Sequence, residues 1–262
     1  MNILDTIVRD KRDEVARRRV ETPRAELERA CGSLPPTRDF AGALRPATGG
    51  VALIAEVKKA SPSRGVLAPD RPWDPVGLAR TYADNGAAAI SVLTDEKYFQ
   101  GHLGLLAEIR TAVPVPLLRK DFTIDEYQLW ESRRAGADAI LLIVSILEPA
   151  LLRDLLAAAK GLALGVLVET HTAAELDTAL SAGATVVGIN NRDLKTFETR
   201  IETTIGLLAT MPPNVTVVSE SGFATAADVR RVVSAGAHAV LIGEGLVKAK
   251  DVGAKVRELA LR

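Results

Sequence analysis

The sequence predicts an α/β fold, a closed (β/α)8 TIM barrel preceded by an N-terminal helical extension. Three observations carry that prediction. From residue 51 onward, short runs that are apolar throughout alternate with amphipathic stretches, the pattern of a parallel sheet covered by helices. There are eight such runs. The junctions NGAAAI, AGADAI, AGATVV and AGAHAV repeat, each setting a helix-ending glycine (Gly86, Gly136, Gly183, Gly236) before an apolar run. Their period of roughly 50 residues holds two βα units, so four periods make eight strands. A chain of 262 residues suits this barrel, for which about 250 is typical.

The elements follow in order. Residues 1–50 hold a charged helical pattern (NILDTIVRDKRDEVARRR), a second helical segment and a Pro-rich joint, SLPPTRDF. We read them as an extension packed on the barrel of residues 51–262, the whole forming one structural domain. The strand runs are VALIAEV (51–57), AAISVLT (88–94), VPLLRKD (115–121), DAILLIV (138–144), LGVLVET (164–170), TVVGIN (185–190), TVVSES (216–221) and AVLIGE (239–244). Between them lie DPVGLARTYADNG, DEYQLWESRRAG, EPALLRDLLAAAKG, TAAELDTALSAG and TAADVRRVVSAG. These open on Thr, Asp or Glu and close at Gly, as helix termini do. The alternative, an open doubly wound sheet, would carry a Gly-rich dinucleotide turn after its first strand. ASPSRG (60–65) does not match that turn.

Composition narrows the function. Thirty-three basic and thirty-three acidic residues balance, so no global field draws nucleic acid or an anionic membrane. An anionic ligand would be held by local donors. Cys31 is the single cysteine, which excludes an internal disulfide and a thiolate metal cluster and favours the cytoplasm. The first twenty residues lack the apolar centre of a signal peptide, and no apolar run reaches the roughly 18 residues of a membrane span. His102, His171 and His238 show no metal-ligand spacing and read as surface or loop histidines. No metal or cofactor is expected, and a monomer is.

In such a barrel the reaction site lies at the C-terminal ends of the strands. Polar residues gather there: Glu56 and Lys58 on the first strand, Lys120 on the third, Glu169 on the fifth, Asn190 on the sixth, Glu220 and Ser221 on the seventh. Strand side chains alternate, so Glu56 and Lys58 share a face. Charges at that depth cost more than they return unless a ligand uses them; the competing interpretation is an internal salt-bridge lattice without chemistry. Two lysines together disfavour the ammonium form and so does burial, whereas a neighbouring glutamate favours it. The net shift stays open, with the prospect of a proton donor and acceptor near neutrality. Loops after strands seven and eight, SESGF and LIGEGL, match the barrel's usual phosphate position. There Gly222, Gly243 and the N–H of Glu244 would face an anion, provided the Glu244 carboxylate turns away, with Ser61 and Ser63 adding hydroxyls. Alternatively these glycines only shape turns.

AEVKKASPSRG, SVLTDEKYFQG, LLRKDF, LVETHT, GINNRDL, SESGF and LIGEGLV, in this order, resemble the indole-3-glycerol phosphate synthase family over essentially the whole chain. The resemblance implies ring closure of 1-(2-carboxyphenylamino)-1-deoxyribulose 5-phosphate, with loss of carbon dioxide and water, to indole-3-glycerol phosphate in tryptophan biosynthesis. It implies that Lys120 is the general acid on the ribulose carbonyl and that Glu169 assists dehydration as base or charge stabiliser. Lys58 would pair with the substrate carboxylate or share the acid role. Glu56, Asn190, Glu220 and Ser221 would hold hydroxyls and orient the lysines. Arg192 would reach the anthranilate carboxylate, and Phe99, Phe122, Leu141 and Leu194 would line the aromatic pocket. Ser61, Gly222, Gly243 and Glu244 would hold phosphate. Departures from the family pattern are small: Phe223 stands where an aliphatic residue is more frequent, and His102 where a small hydroxyl residue is. Arg119 alternates outward and reads as structural, Trp130 as packing. Rivals are a phosphoribosylanthranilate isomerase-like barrel, a Schiff-base aldolase using Lys120, and a barrel that binds a phosphorylated ligand without turnover.

Overall fold

Eight parallel strands close on themselves, each hydrogen-bonded to the next in chain order and the last to the first. The computed structural model describes residues 3–45, 51–193 and 198–262. The strands are β1 (Ala52–Val57), β2 (Ala89–Leu93), β3 (Leu117–Lys120), β4 (Ala139–Ile143), β5 (Gly165–Thr170), β6 (Val186–Asn190), β7 (Thr216–Glu220) and β8 (Ala239–Ile242). Most of the predicted runs are trimmed by a residue or two at their ends. VPLLRKD loses three residues, and in AVLIGE Gly243 caps a short helix, Glu244–Val247, instead of continuing the strand. The repeated glycines end their helices at positive φ, between 92° and 115°, a conformation that side-chain-bearing residues rarely adopt.

Strand parity sorts the side chains. On β1, Leu53, Ala55 and Val57 face the helices while Ile54 points into the barrel. The same alternation puts Leu118, Leu141, Leu167, Val218 and Leu241 inside. Full burial of each such aliphatic side chain contributes about 1.5–3 kcal/mol. The N-terminal end of the barrel is plugged by Phe40 and Leu44, which pack in one cluster with Ala52, Ala139, Val186 and Ala239. Small alanines at the strand starts make room for that plug. Continuing the parity upward carries Glu56, Lys120, Glu169, Asn190 and Glu220 inward at the opposite end.

Arg119, of opposite parity to Lys120, faces away from the barrel lumen, yet it is fully buried. It donates to Asp121 at 3.0 Å, to Ser132 and the Gln128 carbonyl at 3.1 Å, and pairs with Glu131 at 3.4 Å. Two N-terminal helices, α1 (Ile3–Glu21) and α2 (Arg24–Cys31), pack on the helix Tyr127–Ala135. Val15, Leu27 and Tyr127 form a small cluster there that Trp130 joins. Lys11 of α1 is buried, 2.9 Å from Asp121 and 3.1 Å from Asp95, just beyond the ends of β3 and β2. A buried ammonium between two carboxylates ties α1 to the C-terminal mouth.

Candidate active site

The charged groups predicted at the strand ends converge. Lys120 Nζ lies 2.9 Å from Glu169 Oε2 and 3.4 Å from Glu220 Oε2. Lys58 Nζ lies 2.6 Å from Glu56 Oε1. Asn190 Nδ2 donates to Glu169 Oε1 at 3.2 Å, and its Oδ1 accepts the Arg192 N–H at 3.1 Å. Two glycines make this crowding possible. A Cβ at Gly188, inward on β6, would sit 2.1 Å from Glu220 Oε1, and one at Gly243 would sit 2.3 Å from Glu56 Oε1. Gly243 therefore serves Glu56 directly, whatever its N–H contacts.

These groups open onto one cavity of about 610 Å³. Its wall includes Glu56, Lys58, Lys120, Glu169, Asn190, Glu220 and Ser221, together with Phe99, Phe122, Leu141, Arg192, Ser61, Gly222, Gly243 and Glu244. Leu194 lies outside the described residues. The Phe99 and Phe122 rings are tilted by 41° with centroids 6.2 Å apart. Ser221 and Gly222 both take positive φ, 68° and 90°, which turns successive backbone groups sharply at the end of β7. The Glu244 carboxylate meets Lys248 at 2.7 Å, Arg192 at 3.5 Å and Arg64 at 3.7 Å. Arg192 is thus engaged with Glu244 here.

Proximity moves the pKa values apart. Burial would lower the Lys120 ammonium, but Glu169, Glu220 and Glu56 outweigh it and hold the group above its ordinary value. Lys120 is a cation, not a lysine poised near neutrality. Burial pushes Glu220 up, and the neighbouring carboxylates of Glu169 and Glu56 add to it against Lys120. Burial also opposes ionisation of Glu169, but Lys120 and then His171 overcome it and hold that carboxyl well below the usual range. Of Glu169 and Glu220, Glu220 is therefore the one that retains a proton near neutrality, and its buried Oε1 has no hydrogen-bond partner among the described residues. Among the described residues no three His, Cys, Asp or Glu side chains are grouped to hold a metal ion.

Several contributors escaped sequence reasoning. Ile3, Leu4 and Ile7 of α1 form part of the cavity wall, and Lys255 reaches it from the last helix. His171 is not the surface histidine expected: its ring is largely buried, with Nε2 3.6 Å from Glu169 Oε1. The signal was present, because His171 stands two residues after Glu169 and shares its parity. His102, by contrast, caps a turn by accepting the Gly104 N–H, and His238 accepts the Val217 N–H at 3.1 Å.

Sequence comparison agrees with this architecture. The indole-3-glycerol phosphate synthase family description matches residues 4–259. The chain belongs to the indole-3-glycerol phosphate synthase family. It is 53% identical over 268 residues to the indole-3-glycerol phosphate synthase of Roseiflexus castenholzii, covering 99% of this chain and 98% of the relative. The enzyme of that name from Pelodictyon phaeoclathratiforme is 48% identical over 253 residues, covering 97% and 98% of the two chains. Among solved structures, 3-hexulose-6-phosphate synthase from Salmonella typhimurium superposes with a TM-score of 0.65 at 14% identity, covering 80% of this chain and 97% of the other. Thiamine phosphate pyrophosphorylase from Pyrococcus furiosus gives 0.60 at 16% identity, covering 79% and 93%. Those two likenesses speak for the barrel fold alone.

Proposed function

We propose that the cavity closes the indole ring: 1-(2-carboxyphenylamino)-1-deoxyribulose 5-phosphate loses carbon dioxide and water and leaves as indole-3-glycerol phosphate. The observation that supports this most is the Lys120 ammonium held between Glu169 and Glu220 in the wall of the cavity at the strand ends. An aromatic carbon is a weak nucleophile, so the ribulose carbonyl must be polarised by a proton donor with the ring pressed against it. Lys120 is the donor in this reading. Ring attack leaves a cationic intermediate that sheds carbon dioxide, and the ionised Glu169 stabilises that charge before assisting dehydration.

The order of strands around the barrel suits such a substrate. Phe99, Phe122 and Leu141 come from the sector of β2 to β4, whereas Gly222, Gly243 and Ser61 come from β7, β8 and the loop after β1. The aromatic end would lie against the first sector and the phosphate against the second, with Arg192 taking the ring carboxylate once it leaves Glu244. Lys58 pairs with the substrate carboxylate or shares the acid role, and Glu56, Asn190, Glu220 and Ser221 hold the ribulose hydroxyls and orient the lysines. The elevated Lys120 argues against a Schiff-base aldolase, which needs the neutral amine as nucleophile.

On this reading the chain is a cytoplasmic carboxy-lyase acting on a small phosphorylated substrate as a monomer, with residues 1–50 and 51–262 forming one structural domain. The test is turnover of the synthetic substrate, followed by indole absorbance and by carbon dioxide release. One carbon dioxide per indole is expected. Isomerisation without carbon dioxide, or binding without turnover, would overturn the reading.

A further inference from the structure

Behind Glu169 lies a second cavity of about 860 Å³, which His171 helps to line. His171 is absent from the wall of the first cavity, so it stands on the far side of Glu169 from the substrate. Its backbone N–H donates to Glu175 Oε2 at 2.7 Å, and ring Nδ1 lies 3.4 Å from the same oxygen. Glu175 is itself fixed in the first turn of the helix Ala173–Ser181, where its N–H donates to the Thr172 cap. A carboxylate oxygen accepts only, so Nδ1 carries a proton. That leaves Nε2 aimed at Glu169 Oε1 at 3.6 Å, buried and without a hydrogen-bond partner among the described residues. A neutral ring would turn a lone pair toward an ionised carboxylate. A second proton turns that repulsion into an ion pair.

We propose that His171 is a positioning residue which, as an imidazolium clamped between Glu175 and Glu169, keeps Glu169 ionised and aimed at the substrate. The inference rests on the reading of Glu169 as the group that stabilises charge and assists dehydration. The surroundings favour the cation. Glu169, Glu175 and Glu220 all act to raise the imidazole against the cost of burial. Among the described residues, the wall of the second cavity also carries Asp5, Glu148, Asp193 and Glu198 with Arg12 and Arg200. Oε2 of Glu169 is already bound to Lys120 and Oε1 to Asn190. His171 adds a second cation on the side away from substrate, which still holds Glu169 ionised after Lys120 has given up its proton.

Two measurements test this. Proton NMR of the wild-type chain, which holds only three histidines, should show the His171 ring titrating above the ordinary value near 6.5 and moving down in Glu175→Gln. His171→Gln, which carries no charge, should lower kcat roughly tenfold at pH 6, the scale of one lost close charge pair in a buried site, with KM within about twofold. The wild-type-to-variant ratio of kcat should then close as pH rises through the imidazole midpoint, because the wild type loses a charge the variant never had. Glu220 also acts on the imidazole, so the midpoint read on the ring itself by NMR fixes the pH at which the ratio must close. An imidazole titrating at or below its ordinary value, a pH-independent ratio, or an effect on KM alone would overturn the proposal. Glu169→Gln tests the underlying reading separately: if it leaves kcat intact, that reading fails, whatever the imidazole does.

Discussion

Gly188→Ala places a methyl group against the Glu220 carboxylate. The position is inward on β6, and the new Cβ would lie 2.1 Å from Glu220 Oε1, 3.2 Å from its carboxyl carbon and 3.3 Å from Leu167 Cδ1. Ordinary contact begins at 3.4 Å, so the carboxylate must retreat by about 1 Å or more from its seat beside Lys120. Displacements of that size in a catalytic array cost up to about 100-fold in rate. Overpacking costs about 1–3 kcal/mol, and a chain of this size loses roughly 2–4 °C in Tm per kcal/mol. The variant therefore stays folded at 25 °C. Steady-state indole formation, with circular dichroism melting on the same sample, should show kcat down about 10–100-fold and KM changed less than threefold. Wild-type kcat in a folded Gly188→Ala variant would show that the position of Glu220 against Lys120 does not matter, and the electrostatic account of the site would fall with it.

Lys120→Ala should lower kcat by at least about 100-fold, the scale of a lost general acid, with the fold retained, and borohydride plus substrate should leave the wild type unmodified; near-normal turnover or a trapped adduct would refute the acid role. Glu220 bears on stability against pH. Its folded pKa is raised, so between the unfolded carboxyl value near 4.3 and its raised folded value the native state holds a proton the unfolded chain releases, and stability falls as pH rises through that window. Glu220→Gln cannot titrate, so its stability advantage over wild type should grow from pH 5 to pH 8 while its activity drops; urea unfolding at both pH values would expose a constant difference if the sign is wrong. Lys11→Met strands Asp95 as a buried, uncompensated charge and leaves Asp121 with Arg119 as its remaining cation, a loss of about 3–5 kcal/mol; a loss under about 1 kcal/mol in urea titrations would mean that Lys11 does not anchor α1.

The barrel was legible in the sequence because its signals are local and repeated. Eight apolar runs and four helix-ending glycines report backbone conformation one unit at a time, and parity along a strand decides which side chains point inward. That parity alone brought Glu56, Lys120, Glu169 and Glu220 to one face of each strand. It also separated Arg119 from Lys120, although it did not show that Arg119 would be buried among Thr94, Asp121, Glu131 and Ser132. What depends on distance between strands was not legible. Whether Lys120 is held up or pushed down depends on three carboxylates from three other strands, and Coulomb energies change steeply over a few ångströms. Gly188 and Gly243 look like any strand or loop glycines until the carboxylates that occupy their missing side chains are placed beside them. Part of the cavity wall comes from α1, more than a hundred residues before Glu169, a proximity that no local pattern reports. Local pattern determined the scaffold and the faces; closure of the sheet into a ring decided which charges meet, how strongly they act on one another, and which group keeps its proton.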